Sequence, residues 1–229
     1  MSRAATTPTS PRTASGGPQA TPPFVVLLGP DYAGKSSALA ELADGASAWP
    51  IVSLDDAFLE PGHSLIGRLR RSLVGDVMPA LHRDYSPDFM VTLLQTAALH
   101  LRDSIERSPR APVLVDSYYY KLLAKCRLSG VDDHPMFDWW RSFPRPHRVI
   151  FLEVSAATAW RRSRQGAEVN PLEYYGDRPE RASFEKYQSD LSKVMWEEIR
   201  DLPVTVIEEQ DHASLTAQKI REVMTHDFC

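Results

Sequence analysis

The sequence predicts an α/β protein built on a parallel sheet of five strands with helices on both faces. Three observations carry the prediction. Short runs that are apolar throughout, the mark of strands covered on both sides, alternate with longer segments of helical period. Three of these runs are tipped by a glycine or a carboxylate: Gly29, the pair Asp55-Asp56, and Asp116. The first run, Phe24-Val25-Val26-Leu27-Leu28, feeds directly into Gly29-Pro30-Asp31-Tyr32-Ala33-Gly34-Lys35-Ser36, a complete G-x-x-x-x-G-K-[ST] loop.

Helical sequence, Ser37-Ala38-Leu39-Ala40-Glu41-Leu42, follows the loop. The second strand is Ile51-Val52-Ser53-Leu54, closed by Asp55-Asp56, and the turn Glu60-Pro61-Gly62 leads to a helix through Leu65, Ile66, Leu69, Leu73 and Val74. Ser86 and Pro87 read as an N-cap and a first helical residue, opening a long helix to about Glu106. Pro112 to Asp116 is the third strand and His147 to Val154 the fourth. Helices are expected over about 118–128, 156–165 and 180–201, a last strand over Val204 to Ile207, and a final helix over about 212–225. No internal repeat is visible.

A chain of 229 residues with 43% hydrophobic content suits one substantial domain, placed at 24–229. No apolar stretch approaches the ~18 to 20 residues that span a bilayer. The net charge is −4 with both signs mixed along the chain, so neither nucleic acid nor an anionic membrane is expected as a partner. Cys126 and Cys229 have no metal-ligand spacing and form no disulfide framework, which fits a reduced, cytoplasmic setting. Residues 1–23, rich in Pro, Ser, Thr, Ala and Gly and free of acids, read as a disordered tail. The prolines at 8, 11, 18, 22 and 23 prevent the amphipathic helix of a transit peptide, and no secretory apolar region is present.

In a parallel sheet, ligands bind beyond the carboxyl ends of the strands, where the loop and the carboxylates fall. The loop predicts a nucleoside triphosphate ligand, ATP, with Gly29, Pro30, Asp31, Tyr32, Ala33, Gly34, Lys35, Ser36 and Ser37 around its phosphates. Backbone N–H groups face the oxygens, Lys35 reaches the β/γ-phosphates and Ser36 holds Mg²⁺. Asp116 stands where a second Mg²⁺ contact is needed, the plainer account being a helix cap. Arg161, Arg162 and Arg164 precede Gly166 and a polar stretch to about Pro179, the composition of a lid over about 161–180 that brings arginines to the triphosphate. Basic residues in a last helical turn also offset the helix dipole, which accounts for one or two of the three. Arg178 and Arg181, at the far side of the lid, are weaker candidates. Asp31, Asp55 and Asp56 are candidates to orient or deprotonate an acceptor, with only one of the adjacent pair facing the pocket. Tyr118-Tyr119-Tyr120 and Trp139-Trp140 offer a stacking wall, although aromatics in helices more often belong to the core.

The order of these motifs resembles the thymidylate kinase family. The loop with its acid Asp31, the stretch Glu60-Pro61-Gly62-His63-Ser64-Leu65-Ile66-Gly67, the long helix through His100, Asp116-Ser117-Tyr118, Ala124 and the arginine-bearing lid occur in family order, over about residues 24–225. The resemblance implies a P-loop NTPase three-layer sandwich with strand order 2-3-1-4-5, ATP with Mg²⁺ as donor, and a homodimer. It also exposes departures. Where the family carries arginines for the acceptor's monophosphate this chain has Leu59, Ala97 and Ser117, and Cys126 stands at the position of the base-reading glutamine.

Ser53-Leu54-Asp55-Asp56-Ala57-Phe58 is similar to the strand-two motif of uridine-kinase-like enzymes, in which an aspartate serves an acceptor hydroxyl. The sequence therefore predicts an ATP-dependent phosphotransferase acting on a small-molecule acceptor, a nucleoside, nucleotide or other hydroxyl compound. A nucleotide acceptor would need Arg68, Arg70 or Arg71 in place of the lost arginines. The alternative from another class is a nucleotide-binding regulatory protein with little or no phosphotransfer.

Overall fold

The computed structural model describes residues 21–45, 49–109 and 112–228. Five parallel strands, β1 (Phe24–Leu28), β2 (Ile51–Val52), β3 (Val113–Asp116), β4 (Arg148–Leu152) and β5 (Val204–Ile207), make one sheet in the order β2-β3-β1-β4-β5. The architecture is the one the sequence predicts, and the strand order is the one the resemblance implies.

Side chains on a strand alternate between faces, so β1, buried at every residue, supplies two cores. Phe24, Val26 and Leu28 join Val113, Val115, Val149 and Phe151 on the face covered by α3 (Pro87–Glu106), α4 (Tyr118–Leu128) and α7 (Arg181–Ile199). Val25 and Leu27 join Leu114 and Ile150 on the other, under α1 (Lys35–Asp44) and α8 (Ala213–Phe228). The helices α2 (Ser64–Ser72), α5 (Pro135–Arg141) and α6 (Ala156–Arg162) complete the chain.

Several boundaries differ from expectation for local reasons. β2 ends at Val52 because the Ser53 hydroxyl turns to Asp116 and accepts from Asp55 N, so Asp55 and Asp56 lie in a turn and not at a strand tip. α6 stops at Arg162, since Arg164, Gln165 and Gly166 all take positive φ. The helix expected through Val74 breaks after Ser72 into a π-turn, Leu73–Val77, containing Gly75. α5 was not anticipated: its cap is the ring of His134, which accepts from Met136 N, with Pro135 at the first helical position.

Of the expected tail, residues 1–20 lie outside the described residues, and Pro23 already joins the sheet through its carbonyl, which accepts from Val113 N at 3.0 Å. Cys229 also lies outside them. Cys126 is a buried free thiol whose pKa is pushed up to about 12 by burial. No helix among the described residues is long and apolar enough to cross a membrane. Tyr118, Tyr119, Tyr120 and Trp140 are core residues, which agrees with the plainer account of these aromatics, while Trp139 is exposed.

The N-cap of α3 gives a direct check on this reading. The Ser86 hydroxyl accepts from Phe89 N at 3.1 Å, and Ser86→Ala is expected to lower unfolding free energy by about 1 kcal/mol in urea titration without changing the slope.

Candidate active site

The phosphate loop bridges β1 and α1, and two of its glycines are required by geometry. A Cβ on Gly29 would stand 2.6 Å from the Leu152 carbonyl at the end of β4, and Gly34 has φ +95°. Tyr32 also takes a left-handed φ of 60°, without being glycine. It is held there from outside the loop, its ring against Phe184 and its hydroxyl donating to the Glu168 carbonyl at 2.7 Å. Lys35 is buried and its ammonium donates to the carbonyls of Gly29 and Pro30, both at 3.1 Å.

Beside the loop, register places Asp116 across from Leu27. Both Asp116 oxygens are oriented by hydroxyls, Ser53 Oγ donating to one at 2.9 Å and Ser117 Oγ to the other at 2.8 Å. Ser117 and Tyr118 follow with φ 62° and 48°. Two consecutive left-handed non-glycine residues are strained, and such strain collects at ligand sites.

Asp31 is the hub. Lys121 Nζ lies 2.8 Å and Lys125 Nζ 3.2 Å from its Oδ1. Gln188 of α7 accepts from Asp31 N at 2.9 Å and donates to its Oδ2 at 3.2 Å, while also donating to the Glu173 carbonyl at 3.1 Å. Burial alone would raise the Asp31 pKa, but Lys121, Lys125 and Lys35 outweigh it and hold the carboxyl well below the usual range. Lys121 is opposed by burial and rescued by Asp31, and its net shift is upward. Lys35 is pushed down to about 7, first by burial and then by the neighbouring Lys121. Burial and the charge of Asp31 together raise Glu173.

These groups open on a cleft of about 760 Å³ that contains the loop from Asp31 to Ser37, Asp116 and Ser117. Of the three lid arginines, Arg162 alone lines it, donating to the Tyr32 carbonyl at 3.2 Å and the Gln210 carbonyl at 3.1 Å. Arg161 turns back to Thr158, and Arg164 pairs with Glu168 at the surface. Arg178 is exposed and Arg181 pairs with Glu185, both outside the cleft lining. Asp55 lines the cleft, whereas Asp56 pairs with Arg71 in solvent. Arg70 reaches the cleft and donates to the Leu54 carbonyl at 3.1 Å, while Arg68 bonds Ser64. Among the described residues no group of three or more His, Cys, Asp and Glu could hold a metal by itself.

Sequence reasoning missed Lys121, Lys125, Glu173 and Gln188. The signal available was the spacing of Lys121 and Lys125, one helical turn apart and directly after Asp116 in a segment otherwise bound for the core.

No protein-family model matches the chain. It is 34% identical over 126 residues to a tRNA dimethylallyltransferase of Bordetella avium (strain 197N), a stretch covering 52% of this chain and 38% of that protein. The chain thus spans well under half the length of the curated relative it matches. Among solved structures it is similar to thymidylate kinase from Candida albicans, with TM-score 0.58 and 14% identity over 90% of this chain and 92% of the other. It is also similar to deoxyadenosine kinase from M. mycoides with bound dATP, with TM-score 0.53 and 14% identity over 88% and 99%. The chain has the fold of the P-loop kinases, with the five-stranded 2-3-1-4-5 sheet.

The depressed pKa of Lys35 has a consequence for stability. Between about 7 in the folded chain and 10.5 in the unfolded one, the unfolded state binds more protons, so unfolding free energy rises with pH as this group titrates. Lys35→Met is therefore expected to melt above the wild type at pH 6, with the gap closing as pH rises from 7 to 10; a gap that widens instead would refute this.

Proposed function

We propose that this chain is a phosphotransferase that moves the γ-phosphoryl group of ATP to the hydroxyl of a small molecule with an apolar body. The observation that supports this best is a single cleft in which the phosphate loop, Asp116, Arg162 and Asp55 adjoin a chamber with aliphatic walls. The kinase names of the two structural neighbours agree with the donor side of this reading.

The loop amides and Lys35 bind the phosphates, and its glycine backbone fits that task because a Cβ at Gly29 would collide with Leu152. Ser36 and the doubly oriented Asp116 are the residues that would hold Mg²⁺, with phosphate and water completing its shell. When bound, the metal would supply neutralisation of the triphosphate's charge. Arg162 adds a cation from the lid side. Asp55 is the acceptor's base: its Oδ1 accepts from Ala57 N at 3.1 Å, which aims the carboxylate, and it lines the cleft. Asp31 cannot share that role, since its oxygens are occupied by two ammonium groups and an amide.

The acceptor chamber is walled by Leu54, Ile66, Leu69, Val74, Leu93 and Leu122, all only partly buried and open to the cleft. Cys126, the position of the base-reading glutamine in the resembled family, is wholly buried, and the Tyr118–Tyr120 rings are in the core. These facts favour an uncharged aliphatic or alicyclic alcohol over a nucleotide. The tRNA dimethylallyltransferase that matches part of this chain gives a second reading, transfer of a dimethylallyl group to tRNA. The net charge of −4 weighs against a nucleic-acid partner, whose binding draws on phosphate neutralisation.

A phosphorylation panel with Mg-ATP tests the reading. Transfer to apolar alcohols is expected, with Asp55→Asn lowering turnover by about 10²–10⁴-fold. Fast transfer to dTMP would overturn the acceptor class, and ATP binding without turnover on any alcohol would favour the nucleotide-binding regulatory alternative.

Arg162 is separable from the base. Arg162→Gln is expected to reduce kcat by about 10- to 10³-fold while leaving the acceptor's KM within threefold, because its contacts lie at the loop and not at the chamber.

A further inference from the structure

We propose that Lys121 is a second lysine of the phosphate site, contacting the terminal phosphate of the bound triphosphate together with Lys35. The inference rests on the phosphotransfer reading above and extends it to a residue that the motif does not contain.

Two ammonium groups converge on one atom. Lys35 Nζ, from the first turn of α1, and Lys121 Nζ, from the first turn of α4, both donate to the Gly29 carbonyl, at 3.1 and 3.2 Å. Each side chain is about nine-tenths buried, and each lines the cleft that holds the loop. An ammonium carries three N–H groups, and the named protein acceptors of Lys121 are two, the Gly29 carbonyl and Asp31. Its further polar neighbour is Lys35, and both lysines line the cleft where the loop presents its own amides.

The pairing at Asp31 supports the same role. One carboxylate within the loop is matched by two lysines, and a carboxylate there would by itself repel a phosphate. Lys125, at 3.2 Å, and the Gln188 amide, at 3.2 Å, hold Asp31 alongside Lys121. Lys121 is the nearer lysine, at 2.8 Å, and if it turns to an incoming anion Lys125 and Gln188 stay on the carboxylate. The plainer account is that Lys121 only neutralises Asp31, and the two accounts differ in a measurable way.

The test is isothermal calorimetry on the full chain with Mg-ADP and with the non-hydrolysable Mg-AMPPNP, reading the ratio of their Kd values as the worth of the terminal phosphate. Lys121→Gln, and Lys121→Met as its apolar counterpart, are expected to weaken Mg-AMPPNP about 10- to 100-fold and Mg-ADP less than threefold, the size of one charge-assisted bond. Lys121→Arg should keep most of the ratio, which separates loss of charge from loss of fold. The double variant Asp31→Asn with Lys121→Gln should remain as poor at discriminating as Lys121→Gln alone. If removing the Asp31 charge restores the ratio, or if Lys121→Gln weakens both nucleotides equally, Lys121 is only the counterion of Asp31 and the proposal falls. A wild-type chain that binds neither nucleotide would overturn the phosphotransfer reading itself, and this inference with it.

Discussion

The grip on Asp31 is the interaction on which the rest of the site depends. Its carboxylate sits in a loop built to attract phosphate, and it survives there because α4 contributes Lys121 and Lys125 and α7 contributes Gln188. Three segments distant in sequence are thereby held in one arrangement. Gln188 reads the backbone N–H of Asp31 as well as its side chain, and donates to the carbonyl of Glu173 in the segment between α6 and α7. Removing both lysines from such a buried network would strand a charge, at a cost of about 3–5 kcal/mol. The same constraint explains why the loop tolerates a left-handed Tyr32: the conformation is fixed by Phe184 and Glu168, outside the loop.

Sheet register delivers the other half of the site. Leu27 lies opposite Asp116 on one side and Ile150 on the other, so the loop leaves β1 two residues beyond the level of that carboxylate. Ser53, just past the end of β2, then donates to Asp116 while it accepts from Asp55 N. A single hydroxyl thus links the carboxylate suited to metal with the one that lines the acceptor side. This link also ends β2 early. The short strand and the site geometry have one cause.

The sheet and the donor side were legible because they are local. Five apolar runs, a loop motif of fixed spacing and Ser86-Pro87 at a helix start each carry their signal within a few residues. The network around Asp31 was not legible, because its partners are 90, 94 and 157 positions away and are brought together by packing alone. The lid arginines illustrate the intermediate case: composition marked three, but which one faces the loop follows from where α6 ends, and that depends on positive φ at Arg164, Gln165 and Gly166. Likewise the aromatic residues were visible, and their burial in the core was a matter of which helix face meets the sheet.

The loss of the resembled family's arginines and the aliphatic walls of the cleft are two aspects of one redistribution of charge. Ala97 now lies in the cleft beside Leu93 and Leu94, and the hydroxyl of Ser117 is given over to Asp116. The lysines stand instead at the other end, around Asp31 and Gly29. The result is a gradient along a single cleft, from buried ammonium groups at the phosphate loop to branched aliphatic side chains beyond Asp55. Arg70 lines this end too, but it donates to the Leu54 carbonyl, and under the proposed reading a fully charged acceptor would leave part of its charge desolvated against leucine, where an unpaired ion is costly. Under the proposed reading an amphipathic alcohol has no such conflict: its apolar body would displace water from the aliphatic end and leave its hydroxyl beside Asp55, in the same cleft as the phosphate loop.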